Sequence, residues 1–254
     1  MKVELISSTS GMSDAVQFGM TVLLNDHTAL DAGTLGFLWP IDRQRNVRHV
    51  FLSHSHIDHV ASLPAFLDNV YGSQQQCPIV LAGPETLHSL KTDVFNDRLW
   101  PDFIRLSNHG PPFVQLRELM PFQTCDVGDL RITPIPLNHV VPTYGFLVED
   151  NRSSVAFITD TQATDAVWEI VNSCKSLKAV FLECSFPRRC RALARQSGHL
   201  SVDTFSRETN RLRTDVPVFA YHLKPAFCEE IMEEIAGIAS GTMSVARTGH
   251  PYQF

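Results

Sequence analysis

Short apolar runs separated by turn residues open the chain. Residues 3–7, 21–24 and 29–31 have the length and β-type composition of strands folded as hairpins at a sheet edge, the last running into Ala32-Gly33. Residues 47–53 continue the series: Val50-Phe51-Leu52 is a compact apolar run that ends directly on a histidine cluster, and a helix-like pattern over 60–71 follows. A strand over 78–82 and a helix over 84–91 lead into an irregular section, 95–112, rich in aromatics and prolines and of the kind expected for a lid. Strand patterns return at 122–125, 130–135, 144–148 and 155–159. The remaining third alternates strand 179–182, helix 202–212, strand 216–220, helix 226–236 and strand 243–246. Two blocks of strands, each followed by helices, predict an α/β protein with two sheets packed face to face and helices outside.

Composition narrows this to one ordinary globular domain spanning 1–254: 44% of the residues are hydrophobic and 19% charged, with no repeat, low-complexity tract or linker. A net charge of −6 offers no positive field for gripping a polymeric nucleic acid, whereas a small phosphorylated substrate remains compatible. The opening MKVELISS reads as a strand rather than a secretion signal, and no stretch is long and apolar enough to span a membrane. Six cysteines without CxxC pairs read as reduced thiols, so a cytoplasmic location is expected. The sequence leaves a homodimer open.

Chemistry concentrates in His54-Ser55-His56-Ile57-Asp58-His59, three imidazoles and a carboxylate within six residues at the end of an apolar strand. Imidazole nitrogen and carboxylate oxygen suit zinc and other first-row divalent ions, and alternation at a strand end puts His54 and His56 on one face. Further candidate donors stand at strand ends downstream: His139 after 135–138, Asp160 after 155–159 and His222 after 216–221. Each of these alone reads equally well as a surface or capping residue.

As a series, HSHIDH, His139, the TDT around Asp160, and His222 resemble the metallo-β-lactamase superfamily, and the resemblance covers nearly the whole chain. It implies a four-layer αββα sandwich of two mixed sheets with a two-metal site. In that site His54, His56 and His139 hold one ion, Asp58, His59 and His222 the other, and Asp160 bridges. It also implies that Asp31 supports the ligands from behind. The ions expected are zinc, with manganese and iron as alternatives.

Three further segments, 95–103 (FNDRLWPDF), 182–187 (LECSFP) and 198–201 (GHLS), together resemble class II 3',5'-cyclic-nucleotide phosphodiesterases, as does YHLKP around His222. Ile57, Ser62 and Thr159 depart from that pattern without removing a ligand. The resemblance implies hydrolysis of cAMP or cGMP to a nucleoside 5'-monophosphate, the task for which paired ions suit an in-line displacement at phosphorus. His199 is then the candidate proton donor to the departing 3' oxygen and Glu183 its orienting partner, with Asp58 counted among the catalytic residues. The alternative for this pair is a strand cap and a helix-start residue. For the substrate, Trp100 offers stacking, Asn96 an amide and Lys224 a charge; the lid aromatics could equally just pack. Two rivals stand beside this reading: a ribonuclease Z-like tRNA 3'-processing endonuclease, and a noncatalytic metal-binding member of the fold. Thioester or lactam hydrolysis is a third use of the same scaffold.

Overall fold

In the computed structural model, residues 1–8, 17–72, 76–213, 215–238 and 241–254 are described. Fourteen strands among them form two sheets: β1 Lys2–Leu5, β2 Val22–Leu24, β3 Thr28–Leu30, β4 His49–Leu52, β5 Ile79–Ala82, β6 Gln115–Glu118, β7 Cys125–Val127, β8 Leu130–Leu137, β9 Thr143–Glu149, β10 Ser154–Ile158, β11 Leu177–Glu183, β12 Val218–Tyr221, β13 Met243–Val245 and β14 Pro251–Gln253. The orders are β14-β1-β2-β3-β4-β5-β6 and β13-β12-β11-β10-β9-β8-β7. In the first sheet β14 to β3 pair antiparallel and β3 to β6 parallel. The second sheet repeats the scheme, antiparallel from β7 to β10 and parallel from β10 to β13.

Nine α-helices among the described residues flank the sheets: α1 Ile41–Asn46, α2 Ile57–Val60, α3 Leu63–Val70, α4 Pro84–Ser89, α5 Phe103–Leu106, α6 Ala166–Ser173, α7 Arg191–Ser197, α8 Val202–Thr209 and α9 Cys228–Ile238. The central strands are apolar on both sides because each is covered on both sides. Along β4, Val50 and Leu52 join the helix-side core of the first sheet while Phe51 enters the space between the sheets. Along β11, Val180 and Leu182 face α6, α8 and α9 whereas Phe181 points inward. Between the sheets Phe51 meets Phe146 edge-on at 6.0 Å, and Phe157 stacks on Phe181 at 5.1 Å. Truncating one of these fully buried rings to alanine costs about 3–5 kcal/mol. The predicted αββα sandwich is the observed architecture.

The register aligns the functional ends. Leu30 pairs with Phe51, Ile158 with Leu182 and Glu183 with Tyr221, all in parallel, so Asp31, Ser53, Asp160, Glu183 and His222 emerge along the carboxyl edges of neighbouring strands.

Several expectations need correction. The helix expected over 60–71 divides into α2 and α3, because the Ser62 N–H donates to Ala32 O at 3.0 Å instead of to the Asp58 carbonyl, which accepts from Met20 N at 2.7 Å. The strand expected at 122–125 lies instead at β7, Phe122 having a left-handed backbone (φ 65°). The first hairpins do not form the edge, since β14 covers β1. For aromatics of the irregular section the packing alternative holds: Phe95 and Phe103 are buried, and Phe103 stacks at 4.1 Å on Phe113, which stacks at 3.9 Å on Tyr71.

Candidate metal centre

The loop after β4 packs its donors against the end of β3. Asp31, at a left-handed φ of 59°, accepts at Oδ1 from Ser53 N (2.8 Å) and shares the Ser53 hydroxyl between both oxygens (2.9 Å each). Its Oδ2 accepts from His59 Nδ1 at 2.7 Å. With its proton given to Asp31, Ser53 Oγ accepts from His54 Nδ1 at 2.9 Å. Nδ1 of each ring is thereby engaged, and the Nε2 atoms of His54 and His59 are turned the other way. Gly33 lets this loop close: a Cβ there would sit 2.0 Å from the Asp58 carbonyl oxygen.

The second sheet delivers one donor per strand end. His139 donates from Nδ1 to the Gly198 carbonyl at 2.8 Å, leaving Nε2 3.4 Å from His56 Nδ1. Gly198, with φ 81°, admits no side chain, since a Cβ would lie 2.7 Å from His139 Nδ1. Asp160 stands between two groups of donors: Oδ2 lies 3.6 and 3.9 Å from Nε2 of His54 and His139, Oδ1 3.4 Å from Nε2 of His59 and 3.1 Å from His222 Nδ1. His222 Nε2 is 3.2 Å from Asp58 Oδ2. Donor atoms of His54, His56, His139 and Asp160 fall within 4.8 Å of one another, as do those of Asp58, His59 and His222.

These donors fit a divalent cation. His54 Nε2, His59 Nε2 and Asp160 Oδ1 are buried without any hydrogen-bond partner, a costly arrangement unless a cation satisfies them together. The electrostatics agree. Burial, then the charge of His59, holds the His54 pKa well below the ordinary histidine value; burial also lowers His56 and His139. Although burial would raise the carboxyl pKa of Asp160, the surrounding imidazoles, His222 and His59 foremost, hold it well below the usual range. Asp58 is likewise depressed against burial, by the His222 hydrogen bond and by the charges of His59, His222 and Lys224. His59 goes the other way: burial opposes its charge, but Asp160 and Asp31 raise its pKa well above the ordinary value.

Glu183 and His199, both buried, meet beside the donors. Glu183 Oε1 accepts from His199 Nδ1 at 2.9 Å and from Thr161 N at 3.0 Å, and Oε2 accepts from Ser185 N at 3.1 Å. His199 Nδ1 lies 3.9 Å from Asp160 Oδ2, which puts the ring beside the donor clusters. Burial works against its imidazolium, yet the Glu183 charge and hydrogen bond, with Asp160, raise its pKa.

Of the substrate candidates, Lys224 reaches the centre, its Nζ 3.5 Å from Asp58 Oδ2. Asn96 spends its amide within its own loop, donating to Thr92 O and accepting from Arg98 N and Leu99 N. Trp100 packs against the first sheet's outer core, edge-on to Phe103 at 6.4 Å. Sequence reasoning gave no role to Ser53, Ser185 or Gly198, although all lie inside or against the motifs; their roles are hydrogen bonds and a close approach, which leave no spacing signature.

The family model of the beta-lactamase superfamily domain matches residues 29–220. A probable 3',5'-cyclic-nucleotide phosphodiesterase of Yersinia pestis is 25% identical over 244 residues, covering 85% of this chain and 67% of that protein. A ribonuclease Z of Ignicoccus hospitalis is 27% identical over 104 residues, 41% of this chain and 32% of that one. In fold, the crystal structure of unliganded yeast PDE1 matches with a TM-score of 0.78 at 17% identity, over 98% of each chain. The chain thus spans two thirds of the length of the first relative and a third of the second.

Proposed function

Because the chain belongs to the beta-lactamase superfamily, a family of metal-dependent hydrolases in which it keeps a complete donor set, we propose that it hydrolyses 3',5'-cyclic nucleotides to nucleoside 5'-monophosphates at a pair of divalent ions. Zinc is the first expectation from nitrogen and oxygen donors, with manganese and iron as alternatives. The observation that carries the substrate class is the extent of the match to the Yersinia protein, 85% of this chain against 41% for the ribonuclease.

His54 Nε2, His56 Nδ1 and His139 Nε2 would hold one ion, Asp58, His59 and His222 the other, with Asp160 offering one oxygen to each group. When bound, two such ions supply Lewis acidity toward a phosphoryl oxygen and water that ionises near neutral pH. The chain's own residues do the rest. Glu183 fixes His199 with Nδ1 inward and raises its pKa, which favours Nε2–H as the proton given to the 3' oxygen as the P–O bond breaks. Lys224 sits where its ammonium can meet a nonbridging phosphate oxygen. The substrate is a small molecule, in keeping with the net charge of −6.

The test is turnover of 3',5'-cyclic AMP and GMP by metal-analysed protein, alongside 2',3'-cyclic nucleotides, cyclic dinucleotides and a precursor tRNA. Metal-dependent release of 5'-monophosphate from the 3',5' compounds is the expected result. Cleavage of the tRNA at its 3' trailer with no action on cyclic nucleotides would move the protein to the ribonuclease Z reading, which the Ignicoccus relative favours over its shorter match.

A further inference from the structure

We propose that Ser185 is a positioning residue that holds His222 in its cation-binding tautomer, a role resting on the two-ion reading of the centre. Ser185 is fully buried at the end of β11, and its hydroxyl meets three atoms: the His222 carbonyl oxygen at 3.0 Å, His222 Nδ1 at 3.2 Å and His199 Nδ1 at 3.3 Å. A hydroxyl has one proton and two acceptor sites. The carbonyl can only accept, so the Ser185 proton is committed there. Both imidazole contacts are then N–H to Oγ. His199 directs most of its Nδ1–H to Glu183, the nearer partner at 2.9 Å, which leaves Oγ principally to His222.

Asp160 is the other atom near His222 Nδ1, with Oδ1 at 3.1 Å, but Oδ1 is without a hydrogen-bond partner and is misaligned for this N–H. Ser185 is therefore what keeps the proton on Nδ1. On the opposite side of the ring Nε2 faces Asp58 Oδ2 at 3.2 Å, the side on which a cation would be held. The same hydroxyl also restrains the backbone. His222 has φ 57°, a left-handed conformation that a residue with a Cβ adopts at a cost, and the bond from Ser185 to its carbonyl holds it there. One side chain thus fixes both the backbone and the ring of a single donor, from outside the donor set.

The experiment is titration of the metal-free protein with cobalt(II), followed by visible absorption, with two-bond nitrogen–proton correlation spectra of the imidazoles on the zinc-loaded protein. The intact chain should take up two equivalents and show His222 as the Nδ1–H tautomer. Ser185→Ala should bind one equivalent as before and the other about 10- to 100-fold more weakly. Ser185→Thr, which keeps the hydroxyl, should restore the second equivalent. Unchanged binding of both equivalents by Ser185→Ala, equal weakening of both together with a lower melting temperature, or a threonine variant no better than alanine would overturn the assignment. Uptake of a single equivalent by the unsubstituted chain would overturn the two-ion reading itself and the assignment with it.

Discussion

The two sheets solve the same problem with the same device and put it to different use. In the first, the Ser53 hydroxyl lies between a carboxylate, Asp31, and two imidazoles, His54 and His59. In the second, Ser185 gives its backbone N–H to Glu183 and its hydroxyl proton to the His222 carbonyl, and its Oγ faces Nδ1 of His199 and His222. Both imidazoles of the first group are wholly buried donors turned toward Asp160. In the second, His222 lies among the donors with Asp58 and His59, while His199, also close to Asp160, gives its Nδ1 to Glu183. A serine between an acid and two rings is thus a module for fixing tautomers. What distinguishes the halves is whether the second ring is given a cation or kept for a proton.

Asp160 belongs to both groups, and its loss should erase the distinction. Asp160→Asn is expected to abolish uptake of the ion pair and to lower turnover of cyclic nucleotide by about a thousandfold or more, the scale of several kcal/mol of lost charge stabilisation. Elemental analysis with a kinetic assay checks both. The halves should then part company under single substitutions. His199→Ala should lower kcat by about a hundred- to ten-thousandfold with both ions retained, whereas His59→Ala should lose metal and activity together. Metal loss from His199→Ala would make the second group a copy of the first.

The difference in legibility follows the same line. The first sheet announces its donors because four of them sit within six residues after β4, and crowding so dense stands out in a sequence. His139, Asp160 and His222 each come singly, after β8, β10 and β12, strands brought near one another by the antiparallel pairing of β8 to β10 and the parallel pairing of β10 to β12. Only the resemblance connected them to the cluster. The sandwich was readable from the strand and helix patterns, since period-two burial such as Val50, Phe51, Leu52 is a local signal. Strand β14 was not: three residues beginning with proline become a strand only because β1 lies beside them. Helix α6 was also passed over, although Val167, Trp168 and Val171 give it an apolar face. Ser53 and Ser185 are ordinary residues in sequence, and their hydroxyl geometry exists only once the strands are assembled.

A pH experiment sharpens the contrast at intermediate cost. Asp160 and Asp31 outweigh burial and hold the His59 pKa well above its ordinary value, so near neutrality the metal-free protein carries there a proton that a cation must displace. A raised folded pKa contributes stability in full below the unfolded pKa and loses it as pH rises through the folded one. The metal-free protein should therefore lose stability on the alkaline side while apparent metal affinity rises. Asp31→Asn should flatten that rise and weaken binding about 10- to 100-fold. His199 also has a raised pKa, but its proton is kept for the leaving group, so Glu183→Gln should shift the alkaline limb of the kcat profile to lower pH and leave the pH dependence of metal uptake as it was. Equal shifts of both profiles in both variants would show one coupled network instead of two groups with separate tasks.

The smallest effect is expected at Lys224, where the groups meet the substrate. Its side chain is 32% exposed and its Nζ lies 3.5 Å from Asp58 Oδ2. An ion pair so open to water contributes about 0.2–1 kcal/mol, so its role as a partner of Asp58 is minor. If the ammonium instead meets a phosphate oxygen equally in the ground state and the transition state, its loss appears in KM and not in kcat. Lys224→Ala should accordingly raise KM for cyclic AMP by up to about fivefold, with kcat and metal content unchanged. A change in metal affinity without a change in KM would return Lys224 to Asp58 and leave the phosphate to the ions alone.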